Sequence, residues 1–281
     1  MGLFGGMFSR MYYGNPNQPE LKRKDVERES RFKLFFTVLG VRFWPLVLLN
    51  LIFTVFWIPF LYVSIMFFVQ LETAIESFGI MIVVTLAVAL QLAGPVWAGM
   101  VYVIRTWADD AHAEMWSDLW YGVRKNWKNA VILNLINGVV MILFVMDVMF
   151  YFSGGFGAMA GAGLLAGAMG WLMVICCLVW LMMNMIMMPM AVRYDLKLRQ
   201  VIKNALLLSI AELPRTLGIF LLAGGIFFGF LLLFVWAPFV SPLLMLPFVV
   251  FGMSFSLMIS CSYSNFLFDK YMKPKEQGTA E

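Results

Sequence analysis

One acidic side chain sits inside a long apolar run. Asp147 falls in the stretch 130–152, which carries no other charge. A carboxylate in hydrocarbon is expensive and by default functional, as a proton carrier or a substrate contact. At 1.5 Å per residue from about residue 130, however, Asp147 stands roughly 26 Å along its helix, near the far interface. The expectation is a helix-end acid paired with a donor on a neighbouring helix, with a substrate or proton role as the sharper alternative. No Lys or Arg lies inside an apolar run to pair with it. Uncharged amides are more widespread: Asn50, Gln91, Asn134, Asn137, Asn184 and Asn265. They can join helices by hydrogen bonds of about 1–2 kcal/mol or less, or line a neutral polar path. Their spacing, about one per apolar run, fits glue better than a concentrated site.

Other candidates have blander expectations. The run 164–191 holds Met169, Met173, Met182, Met183, Met185, Met187, Met188 and Met190. Thioethers bind soft Cu(I), but these surround the helix without paired Cys or His, so adaptable packing is expected. Cys176, Cys177 and Cys261 lie in apolar runs, at no metal-binding spacing, and are expected to pack. His112, with Asp109, Asp110 and Glu114, could bind a metal or sense pH; a solvated loop is expected. Glu72 and Glu76, at i, i+4, read as surface charges. Neither a phosphate-binding loop nor a nucleophile–base set occurs. No enzyme activity, metal or cofactor is expected.

These residues are positioned by long apolar helices. The chain has 281 residues, 62% hydrophobic and 13% charged, with mean hydropathy +0.86; a soluble domain carries about 25% charged residues. No charge occurs between Arg42 and Glu72, Glu76 and Arg105, Asp147 and Arg193, or Arg215 and Asp269. Each gap exceeds the ~20 residues needed to cross a bilayer. Pro238 and Pro242 divide the last gap in two. Backbone groups in lipid must be satisfied internally, and the ten-residue alternation of a barrel is absent. The fold class is therefore all-α: a polytopic transmembrane bundle with six spans at about 43–69, 79–104, 130–152, 164–191, 216–236 and 243–267. Residues 1–42 form an amphipathic N-terminal segment, 43–268 the membrane domain, and 269–281 a tail.

All 20 Lys and Arg residues fall before span one, between spans two and three, between four and five, or after six. Basic loops stay cytoplasmic, so both termini are expected inside. The polar, charged first 42 residues argue against a cleavable signal, and Gly6 stands where myristoylation needs Ser or Thr. The basic residues mix with acids beside the membrane and suit anionic lipids rather than nucleic acid.

The basic loops are themselves patterned. Leu3, Phe4, Met7, Phe8, Met11 and Tyr12 recur at helical spacing, and Leu34, Phe35, Val38 and Val41 form a stripe before span one. The segment 112–128 mixes Met115, Leu119, Tyr121 and Val123 with Asp118, Arg124 and Lys125. The segment 196–210 alternates Leu196, Val201, Ile202, Leu206 and Ile210 with Lys197, Arg199, Lys203 and Asn204. Both read as amphipathic helices lying on the cytoplasmic face. Arg124-x-x-x-Lys128-Asn129-Ala130 matches Arg199-x-x-x-Lys203-Asn204-Ala205, and Leu49-Asn50-Leu51-Ile52 matches Leu133-Asn134-Leu135-Ile136. The repeat this suggests is an amphipathic helix followed by an outward span, leading into spans one, three and five. Gly157-x-x-x-Gly161 and Gly163-x-x-x-Gly167 would permit close helix approach.

From Leu49-Asn50-Leu51 to Trp57-Ile58-Pro59 the chain resembles the YesL family, or DUF624. The resemblance is strongest over Gly94-Pro95-Val96-Trp97-Ala98-Gly99-Met100 and Trp116-Ser117-Asp118-Leu119-Trp120. It continues through Lys125-Asn126-Trp127-Lys128 to Asp147, and again over Leu198 to Leu217. It implies a multi-pass bacterial plasma-membrane protein, mostly of Gram-positive lineages, working alongside carbohydrate ABC importers. The Glu-Ala-Ala…Gly coupling signature of ABC permeases is absent. The leading expectation is a non-enzymatic accessory protein whose partners, besides lipids, are an ABC permease or solute-binding protein. Trp116, Trp120, Trp127, Lys125 and Lys203 are the candidate docking residues. The same tryptophans would also suit the lipid interface. A small-solute, sugar-like transporter or channel is the alternative, with Asp147, Asn50, Asn134, Asn137 and Asn184 as its intramembrane polar groups and Pro59, Pro95 and Pro189 as helix breaks.

Overall fold

In the computed structural model the described residues are 31–69, 94–109, 111, 113–152, 163–236 and 247–272. Among them there are helices and no strands. They are α1 (Arg31–Val41), α2 (Phe43–Val69), α3 (94–108), α4 (Met115–Phe152), α5 (Gly163–Arg193), α6 (Leu198–Ala211), α7 (Leu213–Trp236) and α8 (Met253–Tyr271). A π-helical turn, Phe248–Gly252, leads into α8. The N-terminal amphipathic stretch, Gln91, the acids Glu72 and Glu76, His112, Gly157 and Gly161, and the break at Pro238 and Pro242 lie outside the described residues.

Three stretches are long and apolar enough to cross a membrane: Met115–Phe152, Gly163–Arg193 and Val250–Tyr271. Counting the bent pairs α1–α2 and α6–α7 as one span each gives five. Most of the second expected span, at 79–104, lies outside the described residues. The three clear spans differ in role. In its most apolar window α8 is 61% buried, against 6% for α4 and 11% for α5. It is also the least apolar of the three, because an inner helix does not have to match lipid on every side. It packs on α2, α5 and α7, while α4 packs on α5.

The elements at the basic end follow from local chemistry. Helix α1 turns into α2 through 74° at Arg42, and α6 turns into α7 through 102° at Glu212. In each case a proline stands in the first turn of the second helix: Pro45 in α2 and Pro214 in α7. Proline is tolerated there but cannot continue a preceding helix. The expected stripe on α1 buries Leu34 and Val38. Helix α6 buries Val201, Ala205 and Leu208.

The expected unit before span three departs from this scheme. Residues 115–128 are not a separate helix lying on the face; they continue without a break into the apolar part of α4. There is no proline between 115 and 152 to stop the helix. At 38 residues α4 is about 57 Å long, nearly twice the ~30 Å hydrocarbon core. The matched segments nonetheless share a burial pattern. Ala130 and Ala205 are buried, while Lys128 and Lys203 are exposed. Leu49 and Leu133 are buried, while Leu51 and Leu135 are exposed.

Helices α3 and α4 form a tight antiparallel hairpin. Its turn is closed by Trp107 Nε1 donating to Ala113 O at 3.2 Å and by Ala111 N donating to Thr106 O at 3.0 Å. Asp118 Oδ2 accepts from Glu114 N at 2.8 Å and places its charge at the helix N-terminus, where it is favoured. Gly99 and Gly122 let the two backbones meet. A Cβ on Gly122 would lie 2.7 Å from Tyr102 Cβ and 3.0 Å from Gly99 Cα. A Cβ on Gly99 would lie 2.7 Å from Leu119 O, and one on Gly94 would strike the Asn134 amide. Close approach is made at these positions and not at Gly163 and Gly167, whose added Cβ would meet nothing within 4 Å.

Gly122→Ala is therefore expected to cost about 1–3 kcal/mol through overpacking. Gly138→Ala, on the same helix but facing open space, should cost nothing. Thermal unfolding of the two variants in one detergent checks the difference. Equal midpoints would contradict the packing.

Candidate functional site

Two features could carry function: a cavity within the apolar part of the bundle, and an aromatic face on the basic part of α4. The cavity has a volume of about 460 Å³ and lies between α4, α5, α7 and α8. It receives Asn134 and Asn137 from α4, Asn184 from α5, and Ser256 and Ser260 from α8. The remaining lining is largely Met, Leu and Phe, with Trp97 from α3, and among the described residues includes no charged one.

The amides are largely committed to the protein. Asn137 Nδ2 donates to Asn184 Oδ1, Trp180 Nε1 donates to Asn137 Oδ1 at 2.9 Å, and Asn184 Nδ2 donates to Trp180 O at 3.0 Å. This clip joins α4 to α5. Ser256 Oγ donates to Ala223 O at 2.8 Å and joins α8 to α7. Pro189 also lines the cavity, inside α5. Lacking an N–H, it leaves Met185 O without its usual partner. Ser264 Oγ of α8 approaches that carbonyl at 3.4 Å.

Asn50 is elsewhere. It is fully buried, and its Oδ1 accepts from Ser254 N at 2.8 Å where the π turn passes into α8. Asp147 is exposed on α4, lines no part of the cavity, and has no ion pair among the described residues. Of the five intramembrane polar candidates, the structure thus gathers Asn134, Asn137 and Asn184 and leaves Asn50 and Asp147 apart. Of the methionines in α5, Met182, Met183, Met187, Met188 and Met190 are buried packing residues, while Met169 is exposed. Cys261 is buried, but Cys176 is exposed, contrary to the packing role expected for it.

The docking candidates separate as well. Trp116, Trp120 and Trp127 fall within about 40° of one another around α4 at 100° per residue, and they are 39%, 58% and 48% exposed. The buried stripe on this part of α4 is Met115, Leu119, Gly122 and Asn126. Lys128 Nζ sits 5.6 Å from the Trp127 ring centroid. Lys125 points to the other flank, with Nζ 5.9 Å from the Tyr121 ring centroid. Lys203 is exposed on α6, which packs on α5 and α7.

Two polar knots at the basic end were not apparent from sequence. Arg193, at the C-terminus of α5, donates from its guanidinium to Asn265 Oδ1 at 3.2 Å. It also pairs with Asp269 at 3.5 Å and Asp109 at 3.8 Å. Asn265 Nδ2 donates to Arg105 O at 3.1 Å, so α3, α5 and α8 are locked together. At the α6–α7 bend, Glu212 accepts from Lys270, from Tyr271 Oη at 2.8 Å and from Arg215 at 3.1 Å. Only the Ser-rich spacing of α8, with Ser254, Ser256, Ser260, Ser262 and Ser264, hinted that α8 is the inner helix.

The fold and these sites define a helical bundle with several helices of membrane-crossing length and an amide-bearing cavity between them. Residues 73–148 match the model of a family described as a protein of unknown function, DUF624. This bears out the resemblance over α3 and most of α4; the resembling stretches 49–59 and 198–217 lie outside the match. No curated protein and no solved structure matches the chain.

The Glu212 knot has a pH signature. Hydrogen bonds from Lys270 and then Tyr271 lower the Glu212 pKa from its ordinary value. A depressed carboxylate pKa gives stability that is present above the unfolded value, about 4.3, and is lost as pH falls through the folded value. Glu212→Gln should therefore flatten the loss of stability on acidification below about pH 4. Thermal midpoints of both proteins across that range check it, and parallel acid limbs would contradict it.

Proposed function

We propose that this chain is a non-enzymatic accessory protein of the bacterial plasma membrane, with its basic end in the cytoplasm and a partner docked on the tryptophan face of α4. The partner class comes from the family resemblance: the permease or solute-binding protein of a carbohydrate ABC importer.

The observation that carries the docking reading is the length of the stripe. From Trp116 to Trp127 is about 16 Å along the helix. The interfacial layer on each side of the hydrocarbon is about 5–8 Å thick. Even at a tilt of about 40° the stripe spans roughly 13 Å of depth, more than the interface can cover. Lipid accounts for the tryptophan nearest the membrane, Trp127, and leaves Trp116 and Trp120 unexplained. Exposed aromatics flanked by Arg124 and Lys128 have the composition of a protein-binding patch.

A transporter or channel for a small neutral solute is the second reading. It is supported by the meeting of Asn134, Asn137 and Asn184 at one cavity.

Affinity purification at native expression, after cross-linking in intact cells, separates the two readings. The docking reading expects stoichiometric recovery of an ABC permease or solute-binding protein. Trp116→Ala with Trp120→Ala should reduce that recovery by about tenfold or more, as for central interface aromatics. Recovery of the chain alone, together with solute flux from the reconstituted protein, would overturn it.

A further inference from the structure

The cavity's chemistry points to a ligand that neither reading requires. Its volume of about 460 Å³ falls within the ~300–1,000 Å³ typical of small-molecule sites, which are mostly apolar with a few placed polar groups. A sugar fits it poorly. Every hydroxyl entering an apolar chamber needs a partner, and most of the polar capacity here is already used. Asn137 and Asn184 bond each other and Trp180, and Ser256 donates to Ala223 O. Ser260 Oγ donates to Ser256 O at 2.9 Å. Each amide NH₂ can give two hydrogen bonds, so the clip retains a small donor capacity on one wall. The lining around the clip is thioether and hydrocarbon, from Met141, Met185, Met188, Phe220 and Met253. Unbranched thioethers adapt to flexible chains.

Among the described lining residues no charge is present to hold an ion. The cavity residues on α5, 181–189, lie about 6–18 Å from Arg193 along the helix. With Arg193 at the interface, most of that range lies within the hydrocarbon core, where lipid-borne molecules are concentrated.

We infer that the cavity binds a neutral amphiphile from the bilayer. Its single hydroxyl- or carbonyl-bearing head meets the Asn137–Asn184 clip, and its apolar chain lies along the methionine wall. This site stands or falls independently of partner docking on α4.

The test uses the full chain in nanodiscs and a photoreactive monoacylglycerol with a diazirine near the head. Labelled residues are mapped by mass spectrometry. Gly138 lines the cavity and an added Cβ there meets nothing within 4 Å, so Gly138→Phe fills the space without displacing backbone. Labelling is expected within 134–141 of α4 and 181–188 of α5. In Gly138→Phe it should fall by about tenfold, while labelling of the exposed Leu143 and Ile175 is unchanged. A matching thermal midpoint confirms that the variant is folded; if it is not, Gly138→Leu is used instead. Labelling confined to exposed faces, or cavity labelling that a filled cavity does not reduce, overturns the inference. Protection of the cavity by maltose also overturns it, in favour of a hydrophilic solute path. Neither result bears on recovery of a partner.

Discussion

In an apolar medium a backbone polar group that leaves its helical ladder must find another partner inside the protein, and the middle of this bundle is arranged around that requirement. Pro189 interrupts α5, and Ser264 approaches the carbonyl it exposes. At the junction of the π turn with α8, Asn50 takes the Ser254 N–H. The hydroxyl of Ser256 reaches Ala223 O on α7. All of these contacts involve α8, which explains why the most buried of the three long spans is also the least apolar. The polar side chains in the spans are thus mostly stitches between helices. Each contributes a modest amount, because the alternative partners available in a membrane are not much worse.

Function is then confined to what the stitches leave over. The clip of Asn137 and Asn184 leaves a mostly apolar chamber with a polar wall. The hairpin of α3 and α4, held by Gly99 against Gly122, carries α4 well beyond the membrane thickness with its tryptophans outward. The close packing of that hairpin bears on the proposed docking. An aromatic stripe on a continuous helix backed by close backbone contact loses less freedom on binding than one on a loop.

Much of this architecture was legible in the residues. Among the described residues the gaps in charge coincide with long apolar helices, and the stripe Leu34, Phe35 and Val38 located the helix before span one. The alternation around Val201 to Ile210 located the helix before span five. The same reasoning misread residues 115–128, because amphipathic composition alone does not say whether a helix stops. The deciding residues were Pro45 and Pro214, present at the two bends and without a counterpart in α4. Small-residue spacing was equally ambiguous: Gly163 and Gly167 have the familiar separation but face open space, while Gly99 and Gly122 sit on different helices and meet. The knots around Arg193 and Glu212 could not be read at all. Asp109, Arg193 and Asp269 are far apart in sequence, and each looked like an ordinary loop charge. Asp147 fits the opposite case: conspicuous in sequence, it is exposed in the structure and remote from the cavity.

The most direct test of the claim that the intramembrane amides are stitches is a double-mutant cycle on Asn137→Leu and Asn184→Leu, read as unfolding free energy in one detergent or bilayer. Paired amides predict a coupling of about 0.6–2 kcal/mol, with the second substitution costing less once the first is made. Additivity within about 0.3–0.5 kcal/mol would mean that the two amides act separately, and it would contradict the account in favour of a polar path through the bundle.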